Sequence, residues 1–228
     1  NLDKKIKHSN FNKWKIVTKI NSKDFIFSRN KLTIKKKLLK LLNNHKRRLG
    51  VKKIDTLLIQ NINLLIKIKN KNFILALKEL KKRKLFRKFG YSIYSMPDVI
   101  QCPYNIIDRR LSEKKNLNLI KTHKIEVHVR SIFFQGLLLL DYEKLPKKIL
   151  KWKKLFKSWN DWINKKKINK LHYCMSFAIN KKYVDRVVFG VNNLHQLKDI
   201  TNIKLYEKIN VPKKISSKDK NLIIFKNW

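Results

Sequence analysis

The hydrophobic pattern of this chain changes character near its middle. Residues 31–42, KLTIKKKLLKLL, place Ile34, Leu38, Leu41 and Leu42 on one face and lysines on the other, which predicts an amphipathic helix. Two further apolar stretches predict a helical pair broken at Asn70. One covers 54–68, with Leu57, Leu58, Ile62, Leu65 and Ile66; the other covers 73–89, with Phe73, Leu77 and Leu80. Residues 1–30 set the single aromatics Phe11, Trp14, Phe25 and Phe27 among Lys, Asn and Ser, and read as an extended basic arm. Residues 90–110 hold Gly90, Pro97 and Pro103 and predict an irregular connector.

From residue 123 the texture turns strand-like. HKIEVHVRS (123–131) alternates Ile125, Val127 and Val129 against Glu126, His128 and Arg130, the pattern of a half-buried strand. A leucine-rich stretch and a basic, Trp-bearing segment follow. Apolar runs at 172–179 and 186–194 then predict two strands joined through a polar tip, NKKYVD. Residues 198–209 predict a short helix with Ile203, Tyr206 and Ile209 inward, and 221–227 a last strand. The order β-α-β-β-α-β is that of a ferredoxin-like domain, an antiparallel sheet with two helices on one face. The expected fold class is therefore α+β. A ferredoxin-like domain with a long β-hairpin fills 121–228, preceded by a basic, mainly helical extension over 1–120.

Charge sharpens this picture. The 228 residues include 57 Lys or Arg and 15 Asp or Glu, a formal net charge of +42. Self-repulsion on that scale opposes a compact state, so a polyanionic partner is expected. The surplus is shared, +25 over residues 1–120 and +17 over 121–228. Lys (48) far outnumbers Arg (9), Asn reaches 24, and Gly, Ala and Pro are scarce, a bias expected of an AT-rich coding genome. With 43% hydrophobic and 11% aromatic residues the chain has the content for a core. Cys102 and Cys174 read as ordinary reduced thiols, with no metal-ligand spacing around them. His123 and His128 fall on opposite faces of a strand and make no metal pair. RKFGYSIY (87–94) partly matches an RNA-recognition signature through Phe89, Gly90, Tyr91 and Tyr94, but Lys88 and Ser92 break it, and a helix end capped by Gly90 fits better.

The second half resembles the bacterial and organellar small-subunit ribosomal protein ten family. The opening strand corresponds to Lys124, Ile125, Val127, Val129, Arg130 and Ser131. The hairpin corresponds to Ser176 through Lys182, with Phe177-Ala178 replacing the family's Pro-His, and the return to FGVNNLHQLKDI, with Phe189, Val191, Leu197, Asp199 and Ile200 in register. The exit corresponds to Ile209, Asn210, Val211 and Pro212. The resemblance implies a structural constituent of a mitochondrial-type ribosome, binding small-subunit ribosomal RNA in the head and packing against head proteins three, nine and fourteen. The RNA ligands expected are Arg130, Lys165, Lys166, Lys167, Lys170, Lys181, Lys182, Arg186, His195 and Lys198, contacting phosphates and RNA shape. Trp152, Trp159 and Trp162 are spaced as a helical, protein-facing stripe. No catalytic set, cofactor, metal, small-molecule substrate or membrane contact is expected, and the expected location is the mitochondrial matrix. The alternative is a basic, membrane-peripheral subunit of a respiratory complex, docked through residues 31–42.

Overall fold

The computed structural model describes residues 14–28, 30–61, 70–91, 97–207 and 210–228. Among the positions singled out above, Phe11, Ile62, Leu65, Ile66, Ser92, Tyr94 and Ile209 lie outside the described residues. The chain divides into two compact units, residues 1–101 and 102–228.

The first unit runs β1 (Val17–Asn21), α1 (Lys31–Leu49), β2 (Ile54–Gln60), α2 (Lys71–Lys82) and β3 (Phe86–Tyr91), followed by the start of β4 (Val99–Pro103). Parallel pairing joins β1 to β2, with Val17 opposite Thr56, and β2 to β3, with Leu57 opposite Phe89; β4 starts on β3 at Val99 opposite Gly90. Helix α1 is present where the amphipathic pattern placed it and runs on to Leu49. The Asn30 carboxamide caps its start by accepting from the Leu32 and Thr33 amides, and Gly50 ends it at φ 64°. Ile34, Leu38 and Leu42 of α1 and Phe73, Ala76, Leu77 and Leu80 of α2 are buried against Ile20, Leu57 and Phe86 of the strands.

The predicted helical pair is corrected here. Its first member is β2, buried at Ile54 and from Thr56 through Ile59. A parallel strand covered on both faces reads as an unbroken apolar run and has no alternation to betray it. Its second member is split into α2 and β3. Asn70 does mark the break: its Oδ1 accepts from the Phe73 amide at 3.1 Å, and its Nδ2 donates to the Ser28 carbonyl at 2.9 Å. Gly90 is no helix cap. It lies inside β3, where a Cβ would stand 2.1 Å from the Val99 carbonyl oxygen.

The second unit holds the end of β4, then α3 (Lys114–Thr122), β5 (Glu126–Arg130), α4 (Lys153–Lys165), α5 (Lys170–Ile179), β6 (Arg186–Val188), α6 (Leu194–Thr201) and α7 (Lys220–Ile223). Strand β5 lies within the strand predicted at 123–131. It pairs with β6 in parallel, Val129 opposite Val187, and Asp185 locks the register by accepting from the Val127 amide at 2.7 Å and donating its own amide back at 2.9 Å.

This overturns the ferredoxin-like expectation and its long hairpin. Residues 172–179 belong to a helix, begun by an Asn169 carboxamide that accepts from the Leu171 and His172 amides. Strands β5 and β6 are joined through helices, which only a parallel pair requires. Residues 221–227 form α7 and a 3-10 turn, with Asp219 capping, where a strand was predicted. Every strand pairing recorded among the described residues is parallel, and helices alternate with strands in both units. That is α/β architecture.

Candidate functional site

In folds of parallel strands, ligands bind at the carboxyl ends, where loops converge while the strands hold them rigid. The second unit has such a place. A cleft of about 1020 Å³ opens beyond β5 and β6, lined by residues 130–133 and 135–136 after β5, 188–192 after β6, 169–171 at the start of α5, and Gln196, Asp199 and Ile200 of α6. Its size is at the upper end of the usual range for ligand sites, roughly 300–1,000 Å³.

The loop after β5 has an unusual backbone. Ser131, Phe134 and Gln135 all have positive φ (57°, 50° and 56°), and Gly136 follows at 84°. A non-glycine residue held there costs on the order of 1 kcal/mol, so three in six residues must be imposed by their surroundings. Those surroundings are visible. Asn105 donates from Nδ2 to the Ser131 carbonyl at 3.0 Å, while its Oδ1 accepts from the Ile107 and Asp108 amides. The Tyr104 amide bonds the Arg130 carbonyl at 3.1 Å. On the far side, the fully buried Trp159 donates its indole N–H to the Leu138 carbonyl at 2.9 Å. Inside the loop the Phe134, Leu137, Leu138 and Leu139 amides donate to the Ser131, Phe134, Phe133 and Gly136 carbonyls, so successive turns hold its shape.

The polar lining is compact. Arg130, the last residue of β5, donates to the Ser131 hydroxyl at 3.1 Å. Lys170 is tied at Nζ to Asp141 Oδ1 (2.8 Å), Asn160 Oδ1 (2.7 Å) and the Leu140 carbonyl (3.0 Å), and its hydrogen bond holds the Asp141 carboxyl below the usual carboxylate range. On α6 the Gln196 side chain accepts from the Asn192 amide at 2.8 Å, and Asp199 pairs with His195 at 3.0 Å. Phe189, Val191 and Leu139 add apolar surface that is partly exposed. Thiol chemistry has no foothold, because burial pushes Cys102 up to about 12 and raises Cys174 as well.

Of the expected RNA ligands, Arg130 and Lys170 line this cleft. His195 and Lys198 ride on α6 beside it. Lys165 ends α4, and Lys166 and Lys167 lie in the turn after it, all three exposed; the half-buried Lys181 and the exposed Lys182 lie in the turn after α5, and Arg186 at the amino end of β6. Trp159 faces the core, as its spacing suggested, and stacks on Trp162 at 5.9 Å. Ser131, Gln196 and Asp199 stand in sequence blocks that were matched to a different family, and Gly136 gave no signal beyond a glycine inside an apolar run.

The Aldo/keto reductase family profile matches residues 4–208. Among solved structures, an aldo-keto reductase from Bacillus halodurans in its holo form superposes with a TM-score of 0.64 at 22% identity, over 86% of this chain and 68% of that one. Its apo form gives 0.67 at 20% identity, over 93% and 72%. A glycerol dehydrogenase from Gluconobacter oxydans gives 0.60 at 17% identity, over 76% and 60%. No curated protein sequence matches.

These likenesses, with the parallel strands, overturn the ribosomal resemblance. With it fall the structural role in translation, the ribosomal RNA and head-protein partners, the exclusion of a small-molecule substrate and of enzymatic activity, and the respiratory-complex alternative. The physical reason is that the matched blocks require an antiparallel hairpin, and this chain builds a helix and a parallel strand from the same residues.

Proposed function

The chain belongs to the aldo/keto reductase family, and on that premise we propose that it is an oxidoreductase acting on a small carbonyl or alcohol substrate with a nicotinamide dinucleotide held in the second-unit cleft. The observation that carries this reading is the strained loop 131–136 beside Arg130, at the carboxyl ends of β5 and β6. Fold alone would not suffice, since one fold serves many activities.

The residues present fit the dinucleotide. The Arg130 guanidinium, which lines the cleft beside the loop after β5, suits a pyrophosphate, which wants one or two positive charges and bidentate donors. The apolar surfaces of Phe189 and Val191 suit ring faces. When bound, the nicotinamide supplies a hydride to a carbonyl carbon or accepts one from an alcohol carbon. The chain's own contribution is orientation. Asn105 and Trp159 fix the loop from both sides, and the Asp141–Lys170 pair fixes the floor, so the ligand meets a surface that needs little rearrangement.

The test is turnover by the full chain. Reduced nicotinamide absorbance should fall on adding a panel of small aldehydes and ketones, and Arg130→Ala should raise the dinucleotide KM more than it lowers kcat. Absence of turnover with every carbonyl, together with absence of dinucleotide binding, would contradict the reading.

A further inference from the structure

Two aromatic rings from residues 222–228 reach the loop after β5. Helix α7 leads into the 3-10 turn Phe225–Asn227 and then Trp228. This segment is pinned on both sides. Leu222 and Ile223 are buried, and Asp219 ahead of them accepts from the Trp152 indole at 2.8 Å. The Trp228 indole folds back to donate to the Leu222 carbonyl at 2.8 Å. Held between these anchors, the Phe225 ring is 40% exposed and lies 5.8 Å from the Arg130 guanidinium. The Trp228 ring meets Phe134 edge-on at 5.4 Å and Phe225 at 6.5 Å. The two rings therefore touch the residue that enters the strained loop, Arg130, and one of its positive-φ members, Phe134.

The contact treats Arg130 unlike the other cation that lines the cleft. Lys170 is tied to three oxygen acceptors, Asp141 among them, so its charge and its donors are engaged. Arg130 donates from Nη1 to the Ser131 hydroxyl, its one side-chain hydrogen bond among the described residues. A ring face attracts a guanidinium without consuming any of its N–H groups, whereas a carboxylate would neutralise it. We infer that Phe225 is a positioning residue: its ring, braced by Trp228 against Phe134, holds the Arg130 guanidinium at the cleft with donors open to an anion. The inference rests on the dinucleotide reading above and names what keeps that cation in place. A long side chain left free would lose rotamer freedom when the ligand binds; one held beforehand has already lost it.

Isothermal titration of the full chain with NADH, without substrate, tests this. Phe225→Leu keeps apolar bulk but removes the ring face, and it should weaken binding about fivefold. Phe225→Tyr, which keeps the ring, should bind as the wild-type chain does. In an Arg130→Ala background Phe225→Leu should have no further effect, because the group that it positions is gone. Equal affinity of Phe225→Leu and wild type, or the same fivefold loss in the Arg130→Ala background, would overturn the inference and leave the dinucleotide reading standing. Absence of NADH binding by the wild-type chain would overturn both. Should Phe225→Leu fail to fold, Phe225→Met, unbranched and without a ring face, takes its place with the same expectation.

Discussion

The two units use their backbones differently. In the first, the central strand β2 is buried nearly throughout and packs against capped helices, and among the described residues the positive-φ positions are scattered singly at Gly50, Asn61 and Lys84. In the second, four of six consecutive residues after β5 sit at positive φ, and that loop is held by hydrogen bonds from Asn105, ahead of β5, and from Trp159, on α4. Regular packing costs little to specify. Strained backbone persists only where neighbours enforce it, so its concentration in one loop marks where the molecule maintains a surface for something else.

Substitutions can test that contrast. The largest effect is expected at Trp159, fully buried with its indole bonded to the Leu138 carbonyl. Trp159→Ala should cost about 3–5 kcal/mol in chemical denaturation and, by freeing the loop, abolish measurable dinucleotide binding. In the first unit Gly90→Ala drives a Cβ to 2.1 Å from a backbone oxygen that cannot swing away. It should lower stability by roughly 3 kcal/mol through overpacking. A finer comparison pairs two glycines, Gly50 at φ 64° and Gly136 at φ 84°, both with nothing near the position of a Cβ. Alanine at either should cost about 1 kcal/mol from conformation alone. The pair should separate in a titration, where Gly136→Ala weakens dinucleotide binding about tenfold and Gly50→Ala leaves it unchanged.

The smallest effect concerns acid. Hydrogen bonds from Lys35 and Lys31 hold Glu79, on α2, at about 2, well below its usual 4.5. A depressed carboxyl stabilises the fold above its unfolded value and loses that contribution as pH falls toward the folded one. Denaturation midpoints should therefore be flat above about pH 5 and decline between about 4.5 and 2. Glu79→Gln should flatten part of that decline. Because Glu79 is solvent-accessible, the change should also shrink in high salt.

How much of this was legible in the sequence depended on how each segment is buried. Helix α1 was readable because one face is wet and one is dry, so KLTIKKKLLKLL carries its period openly. Strand β2 and helix α5 were not, since each is an apolar run of seven to ten residues buried nearly all round. Such runs fit either element, and the Asn169 cap that decides α5 is one side chain in a chain with many asparagines. The cleft was hidden for another reason. Ser131, Phe134 and Gln135 take up left-handed backbone without the glycine that usually announces it, and the side chains that hold the two ends of this loop, Asn105 at the Ser131 carbonyl and Trp159 at the Leu138 carbonyl, are far off in sequence. Net charge misled most: it reports the outer surface, where Lys165, Lys166 and Lys167 lie exposed, while the cleft balances its signs.

The central claim is that the second-unit cleft receives a nicotinamide dinucleotide. Hydrogen–deuterium exchange on the full chain, with and without saturating NADH, tests it directly. Exchange should slow in residues 131–139 and 189–200, the two segments that follow β5 and β6. Unchanged exchange in both, with NADH demonstrably in excess, would contradict the account.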